Sequence, residues 1–216
     1  MRPQGDKAYW DKMSSHYDEH TQRSAAMYDD LIRRIKLEVS PKAVVLDIGT
    51  GTGEIPLQIS SDVSRIEAVD CSAEMIRRAQ DKAIQREAKN VTFRVQDSTL
   101  LEYGSCEFDV VILANLLHVV STPERVLAEA FRVLRQDGKV IAPTFVHAES
   151  PKTRLISWIL RRKGHPIYTR FDSSTLKAFL EGHGFIVTQQ VLLKNIMPVS
   201  FIVAREAPQP GGSTVD

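Results

Sequence analysis

The stretch LDIGTGTGE, residues 46–54, holds the side chains and glycines most able to do chemistry in this sequence. Two acids, Asp47 and Glu54, enclose three glycines that stand at every second position: Gly49, Gly51 and Gly53. Glycines at this spacing let the main chain approach a ligand closely, as in nucleotide-binding turns. The dinucleotide fingerprint G-x-G-x-x-G fails in both registers, because Glu54 or Pro56 stands where its third glycine is needed.

The charges of this stretch indicate which ligand it suits. A pyrophosphate would face Asp47 and Glu54, and like charges about 4 Å apart repel by about 4 kcal/mol at an effective dielectric constant of about 20. A ligand with positive charge and no phosphate is favoured instead. The stretch therefore predicts a nucleoside-like cation, a description that fits S-adenosylmethionine (SAM) with its sulfonium and ammonium groups.

Acidic residues also end the next two predicted strands. Asp70 closes the strand 65–70 and lies 23 residues after Asp47, and Asp97 follows the strand 91–96. The carboxyl ends of parallel strands meet at one edge of a sheet, where an acid can accept hydrogen bonds from both ribose hydroxyls. These acids predict that the ligand carries a ribose.

Short β-branched runs alternate with helical patterns along most of the chain. The predicted strands are 43–48, 65–70, 91–96, 108–114 and 139–146, and the predicted helices are 55–61, 73–87 and 123–135. Ser72 is the expected cap of the second helix, Ser121 and Glu124 have capping-box spacing for the third, and Gly138 is its expected stop. Repeated strand–helix units predict a doubly wound α/β sheet.

The end of the chain follows a different pattern. The runs 185–193 and 197–205 are separated by only three residues, a link that permits a hairpin but not a parallel crossover. We expect one domain with five parts: a helical N-terminal lid over 1–37, a SAM-binding core over 42–146, a specificity insertion over 147–172, a C-terminal helix and hairpin over 173–205, and a flexible tail over 206–216.

Composition limits the classes of function. The 216 residues carry 28 Lys and Arg against 27 Asp and Glu, so the net charge of +1 provides no general attraction for nucleic acid. Cys71 and Cys106 lack metal-ligand spacing, which argues against a thiolate metal site. No stretch approaches the length and apolar character of a leader or a membrane span, so we expect a cytoplasmic protein without stable membrane insertion, as a monomer or homodimer.

From about Tyr17 to Arg205 the chain resembles the class I SAM-dependent methyltransferases, in particular the small-molecule group of the ubiquinone and menaquinone biosynthesis methyltransferases. The motifs that carry the resemblance are VVLDIGTGTGEIPLQIS, IEAVDCSAEMIRRAQ, VTFRVQDSTLLEY, FDVVILANLLHVV and RVLRQDGKVIA. It departs from the family pattern at Gln136-Asp137-Gly138, away from the cofactor motifs. The resemblance implies a Rossmann-like sheet of seven strands, mostly parallel with an antiparallel last strand, and helices on both faces.

The resemblance also implies roles for individual residues. Asp47 would lie near the amino group of SAM, Asp70 would hold the ribose and Asp97 would accept the exocyclic amine of the adenine. The remaining expected cofactor-binding residues are Tyr17, Gly49, Thr50, Gly51, Gly53, Cys71, Met75, Ser98 and Asn115. Met75 and Cys71 could equally be core-packing residues, and Thr50 an ordinary turn residue.

His118, after the fourth predicted strand, is the candidate general base, because an ordinary histidine pKa near 6.5 suits proton transfer. The alternative is a histidine that only shapes the pocket. We expect a small, partly apolar acceptor, such as a phenol, quinol or amine, in a pocket lined by Tyr17, His118, Trp158 and Tyr168. His16, His147 and His165 are weaker candidates for the base.

Three alternatives remain open at this stage. A noncatalytic SAM sensor would keep the cofactor motifs and block the acceptor space. A methyltransferase of lipid headgroups would use the basic cluster 161–163 on a helix with an apolar face, although a solvated helix end explains this cluster too. A methyltransferase of macromolecules is the third, but the segment NLLH lacks the D/N-P-P-Y-like pattern of enzymes that extrude a base.

Overall fold

The computed structural model describes residues 3–22 and 24–208 of the chain. Within these residues there are seven α-helices: α1 (Pro3–Gln22), α2 (Ala25–Glu38), α3 (Glu54–Ile59), α4 (Ala73–Gln85), α5 (Pro123–Val133), α6 (Pro151–Arg162) and α7 (Ser173–Glu181). The same residues form eight strands: β1 (Val44–Ile48), β2 (Arg65–Asp70), β3 (Val91–Val95), β4 (Phe108–Ile112), β5 (Leu134–Ile141), β6 (Thr144–Phe145), β7 (Phe185–Leu193) and β8 (Val199–Glu206).

The strands form one sheet in the order β3-β2-β1-β4-β5-β8-β6, with β7 also paired to β8. The pairs among β1 to β5 are parallel, and β8 is antiparallel to β5, β6 and β7. The order changes direction between β1 and β4, and ligands bind at such a switch point in open α/β sheets. The predicted doubly wound sheet with a reversed last strand is confirmed, as is the C-terminal hairpin.

The predicted strand 139–146 is divided in two. Ile141 of β5 pairs with Val203 of β8, and Thr144 of β6 pairs with Ser200 further along the same edge of β8. Pro143 lies in the gap and has no N–H to offer a neighbouring strand. Counted as one interrupted strand, β5 and β6 leave seven strand positions in the sheet, the predicted number.

Two hydrophobic clusters cover the two faces of the sheet. One contains Val45 and packs against α2, α3 and α4, with Ile35 and Ala79 fully buried. The other contains Leu46 and packs against α5 and α7, with Leu127 and Leu180 fully buried. Because successive strand residues point to opposite faces, the neighbouring apolar residues of β1 serve both clusters. Helices on both faces therefore hold the strand ends in fixed positions.

Most helix boundaries follow local chemistry, but α5 differs at both ends: it ends at Val133, and Gly138, its expected stop, lies within β5. The Ser72 side chain accepts a hydrogen bond from the Met75 N–H, so the predicted cap of α4 is confirmed. The predicted capping box of Ser121 and Glu124 is wrong: Thr122 is the N-cap of α5, without a side-chain cap bond, and Pro123 follows at the first helical position. Proline suits that position because its fixed φ is already helical.

The ends of the chain are only partly described. Glu206, which the prediction assigned to the flexible tail, belongs to β8, and residues 209–216 lie outside the described part. Among the described helices, none is long and apolar enough to cross a membrane.

Candidate active site

A narrow crevice runs along the carboxyl edge of the sheet, over the ends of β1, β2 and β4. Most of the predicted cofactor-binding residues lie together in its wall, with spaces of about 60 Å³ at one end and about 20 Å³ at the other. The wider end is lined by Trp10, Tyr17, Gly49, Gly51, Val69, Asp70, Cys71, Met75, Gln96, Ser98, Asn115, Leu116 and their neighbours. The narrower end is lined by Tyr17, Tyr28, Asp47, Gly49, Thr50, Glu54, Ile55, Ala114 and Asn115.

The turn from β1 to α3 brings main chain to the surface of this crevice. The N–H groups of Gly49 and Thr50 both donate to the Val69 carbonyl, at 2.8 and 3.0 Å, which fixes the turn against β2. Gly51 has a φ of +55°, and a Cβ there would lie 3.3 Å from the Tyr17 ring. A side chain at this position would fill the crevice, so glycine keeps the main chain accessible to a ligand.

Gly53 serves a different purpose. Its φ is +77°, and a Cβ would lie 2.8 Å from the Phe93 ring and 3.0 Å from Ala79. It does not line the crevice. This glycine allows α3 to pack closely on β3 and α4, so its predicted contact with the cofactor does not follow from the structure.

Asp47 is a buried acid near the end of β1. Its Oδ1 atom and the Oγ1 atom of Thr50 are buried without a hydrogen-bond partner in the described part of the chain. Burial raises the pKa of Asp47 to about 7; the neighbouring Thr50 hydroxyl opposes the rise, and the negative charge of Asp70 adds to it. A buried carboxyl with an unused oxygen is stabilised by a cation, and a ligand ammonium group is one.

Glu54, the second acid of the glycine stretch, is already paired. Its Oε2 atom lies 3.5 Å from Arg86 Nη2 and 3.9 Å from Lys82 Nζ, and its Oε1 atom accepts from Gln58. Glu54 lines the narrow end of the crevice together with Asp47, as expected, but two cations already compensate its charge.

Asp70 lies at the end of β2 with both carboxylate oxygens fixed. Oδ2 accepts from the Gly51 N–H at 2.9 Å, and Oδ1 accepts from the Ser72 N–H at 2.9 Å. Burial raises the pKa of Asp70, and these two hydrogen bonds oppose the rise. Each oxygen has a further lone pair, so the group can accept two hydroxyl hydrogen bonds from a ribose.

The side chains beyond Asp70 form a mainly apolar slot. Met75 is buried, Ser98 lies in the same wall, and Gln96, which the sequence analysis missed, is buried there with them. Cys71 lines the slot and keeps solvent-exposed surface. Desolvation and the nearby charge of Asp70 raise the pKa of Cys71 to about 12, so its thiol stays protonated near neutral pH.

Asp97 does not join this wall. The side chain is exposed, and its Oδ1 atom accepts from both the N–H and the hydroxyl of Thr99, each at 2.8 Å. The lining of the crevice includes Gln96 and not Asp97, so the contact of Asp97 with the adenine stays a prediction.

Asn115 and Tyr17 line both ends of the crevice and also a larger cavity next to it. Asn115 follows β4 with a φ of +53°, and its Oδ1 atom accepts from the Phe145 N–H at 3.1 Å. Tyr17 comes from α1, which is held across the crevice by a hydrogen bond of 2.5 Å from Ser72 Oγ to Asp11.

This larger cavity has a volume of about 370 Å³ and mostly apolar walls. Side chains from α1, α2, the loop after β4, the end of α6 and the β7–β8 turn enclose it. They include Trp10, Met13, Tyr28, His118, Val119, Phe145, Leu160, His165, Ile196 and Met197. Its volume is within the range of about 300–1,000 Å³ typical of small-molecule sites.

His118 is the buried titratable group of this cavity. Its ring lies 4.9 Å from the His147 ring and 6.1 Å from the Phe145 ring, measured between centroids. Burial lowers the pKa of His118 well below 6.5, and His147 and His165 add to the decrease. The expectation that His118 has an ordinary pKa near 6.5 is therefore wrong. Near neutral pH the imidazole is uncharged, the form that can accept a proton.

His147 lies behind His118, away from the cavity wall. Both of its ring nitrogens, and Nδ1 of His118, are buried without a hydrogen-bond partner in the described residues. Burial lowers the pKa of His147 to about 4, with contributions from His165 and Arg170. The pair thus forms an uncharged imidazole cluster. The side chain of His16, a weaker candidate, lies outside the described part of the structure.

Two predicted pocket residues are on the surface instead. Trp158 is 50% exposed and Tyr168 is 44% exposed, and neither lines the cavity. The prediction for both residues was wrong, and for Trp158 the reason is that it lies on the outward side of α6. The residues of this region that reach the cavity are Leu160 and His165.

These observations fit SAM at the crevice. Asp47 offers a carboxylate to an ammonium group, Asp70 offers two acceptor oxygens to a ribose, and the wall with Met75 offers an apolar surface to a base. The bare main chain at Gly51 leaves room for the ligand between them.

Comparison with protein families decides the assignment. Residues 40–165 match the family described as "Methyltransferase domain", which is more than half of the chain. The chain belongs to this family of methyltransferases. Its cofactor is SAM, as the crevice and the glycine stretch indicate.

Relatives of this methyltransferase extend the comparison. The 27-O-demethylrifamycin SV methyltransferase of Amycolatopsis mediterranei is 32% identical over 146 residues, covering 66% of this chain and 52% of that protein. A demethylmenaquinone methyltransferase of Leptospira interrogans is 28% identical over 208 residues, covering 85% of this chain and 82% of that protein. The chain thus spans about half of the rifamycin enzyme.

A solved structure supports the fold. A SAM-dependent methyltransferase from Aquifex aeolicus superposes with a TM-score of 0.66 at 22% identity, covering 80% of this chain and 88% of that one. At this identity the likeness bears on the fold alone.

Proposed function

We propose that this protein transfers the methyl group of SAM to a small, partly apolar acceptor, such as a phenol, a quinol or an amine. The observation that carries the proposal is the continuity of the crevice with the 370 Å³ cavity, since Asn115 and Tyr17 line both. An acceptor in the cavity would lie directly beside the methionine end of the crevice. This arrangement supports in-line attack on the methyl group.

The side chains then have distinct tasks in the proposed reaction. Bound SAM supplies an activated methyl group, so positioning the acceptor is the main work of the protein. The rings of Trp10 and Phe145 hold the apolar part of the acceptor. His118, uncharged near neutral pH, accepts the proton of an acceptor hydroxyl where one must leave.

The names of the relatives support this acceptor class. One acts on a demethylrifamycin and another on demethylmenaquinone, as their names state. The cavity disfavours the sensor alternative, because a sensor would have its acceptor space blocked. We also propose a cytoplasmic monomer or homodimer without a nucleic-acid partner, supported by the net charge of +1.

A turnover assay with a matched panel tests the proposal. Purified protein and SAM are mixed with a phenol, a 1,4-naphthoquinol or a primary amine of similar size, and S-adenosylhomocysteine is measured by mass spectrometry. We expect methylation of at least one member, and slower turnover by His118→Asn. The proposal is overturned if SAM binds but no acceptor is methylated and no panel member shifts the melting temperature.

A further inference from the structure

Helix α6 exposes a large part of its apolar surface, although Ile156 and Leu160 are half-buried on its inward side. Its inward side holds the small polar residues Thr153 and Ser157, both buried, and the Ser157 hydroxyl has no hydrogen-bond partner among the described residues. Its outward side holds Leu155, Trp158 and Ile159, which are 59%, 50% and 40% exposed. A surface helix normally buries its apolar stripe, so this outward face is unusual.

The exposed apolar residues form one continuous stripe. Leu155, Trp158 and Ile159 are spaced by three and four residues, so they lie on one side of the helix, and Arg162 continues the same side one turn later. The Arg162 guanidinium stacks over the Trp158 ring at 4.5 Å from its centroid. We call this stripe, together with the basic residues around it, the α6 surface.

The charge around the stripe has one sign. Residues 151–170 contain six basic side chains and no Asp or Glu: Lys152, Arg154, Arg161, Arg162, Lys163 and Arg170. Arg161, Arg162 and Lys163 are all exposed at the end of the helix. The net charge of the whole chain is only +1, so this segment is more positive than the chain as a whole. Exposed Trp and Leu beside Arg and Lys are the composition of helices that lie at a membrane interface.

The α6 surface also borders the acceptor cavity. Leu160 of the same helix and His165 just after it line the cavity, as does Ile196, which is 72% exposed on the β7–β8 turn. A molecule dissolved in a lipid layer would therefore reach the cavity from the side on which α6 lies.

We propose that the α6 surface docks the protein on a bilayer that contains anionic lipids. The apolar stripe enters the boundary between headgroups and acyl chains, while the long basic side chains extend to the lipid phosphates. A second copy of the chain is a poorer occupant, because a symmetric contact would place Arg161, Arg162 and Lys163 against the same positive charges. This surface contact involves no membrane-spanning helix and does not depend on the methyl-transfer proposal.

Vesicle sedimentation tests the docking directly. The full chain is mixed with vesicles of phosphatidylcholine alone or with about one third phosphatidylglycerol, at low and high salt. We expect sedimentation with the anionic vesicles at low salt, at least tenfold weaker binding to neutral vesicles, and release at high salt. No binding to anionic vesicles at low salt overturns the proposal.

Two variants locate the contact. Arg161→Gln with Arg162→Gln and Lys163→Gln, and separately Trp158→Ser with Leu155→Ser, should each weaken vesicle binding at least tenfold. The matched control is Ile84→Ser with Lys89→Gln, at exposed positions beside β3, the strand at the other edge of the sheet. It should bind like the unchanged protein. Equal binding by all three variants would place the contact elsewhere.

Fluorescence and oligomer size separate a lipid contact from a protein contact. In a Trp10→Phe background, Trp158 emission should move to shorter wavelength when anionic vesicles are added. Because these measurements need neither SAM nor an acceptor, their failure is independent of any failure to methylate. Self-association in ultracentrifugation that the α6 variants abolish, without vesicle binding, would overturn the proposal in favour of a second copy.

Discussion

The cofactor crevice and the acceptor cavity share a wall but are built from different parts of the chain. The crevice uses main chain and acids at the ends of β1 and β2, positions that the hydrogen bonds of the sheet and its turns fix. The cavity uses side chains from α1, α2, the loop after β4, the end of α6 and the β7–β8 turn. These segments are distant in sequence, and contacts between them, such as the hydrogen bond from Asn195 Nδ2 to Ser24 Oγ, hold the cavity wall together.

This difference predicts that substitutions in the crevice and substitutions in the cavity have different effects on binding and rate. Substitutions in the crevice should alter the affinity of the protein for SAM, whichever acceptor is present. Changes in the cavity should alter the rate and acceptor preference and leave SAM affinity nearly constant.

His118→Asn should give the largest change. Loss of a general base lowers kcat by about 10²- to 10⁴-fold, and the SAM Kd should change less than about twofold. Since burial lowers the pKa of His118 well below 6.5, the rate of the unchanged protein should be flat near neutral pH and fall only in clearly more acidic buffer. Stopped turnover assays across pH and calorimetry with SAM measure both quantities. An unchanged kcat would show that His118 only shapes the cavity and does not act as a base.

Asp70→Ala should weaken SAM binding by about 2–3 kcal/mol, a roughly 30- to 150-fold rise in Kd, because hydrogen bonds to a charged acceptor are lost. The matched control is Asp97→Ala, which removes an exposed acid outside the crevice and should change the Kd less than about threefold. Calorimetry at one pH compares the two. If Asp97→Ala were the more damaging change, the cofactor would lie further along β3 than we place it.

SAM affinity should depend on pH through Asp47. With a pKa of about 7, the Asp47 carboxyl is protonated in acidic buffer and must lose its proton before it can pair with the ligand ammonium group. Affinity should therefore fall as pH decreases below 7, approaching about tenfold per pH unit. Asp47→Asn should bind more weakly at pH 8 and lose most of this dependence. If SAM affinity depended on pH in the same way in both proteins, Asp47 would not be the partner of the ammonium group.

Tyr17→Ala should have the smallest effect of the four substitutions, but it should affect the binding of both SAM and the acceptor. Tyr17 lines both the crevice and the cavity, so its loss should raise the SAM Kd and the acceptor KM together, each by about three- to tenfold, as expected for a lost aromatic contact of about 1 kcal/mol. Calorimetry and initial rates measure the two constants. A change in only one of them would assign Tyr17 to that half of the site.

Local sequence patterns predicted the crevice well because its positions depend on neighbouring residues. The Ser72 cap, the glycine turn and Asp70 at the end of β2 all follow from runs of a few residues. The differences from expectation at this edge are also local. The side chain of Asp97 bonds to Thr99 in a turn of its own, and Gln96, one residue earlier, faces the crevice.

The cavity was less predictable because no local pattern connects its walls. Trp10, Tyr28 and Met197 come from three distant segments, and nothing in their own neighbourhoods marks them as partners. The pocket positions given to Trp158 and Tyr168 assumed that the segment containing both residues covers the pocket with its apolar side. In α6 that side is exposed, a choice that only tertiary packing decides.

A crystal structure with S-adenosylhomocysteine tests the central claim most directly, that the crevice holds the cofactor and the 370 Å³ cavity holds the acceptor. We predict ribose hydroxyls on Asp70, the amino group near Asp47, and the sulfur beside Asn115 with its free side toward His118. An adenine found inside the cavity, or a sulfur facing away from His118, would contradict this account.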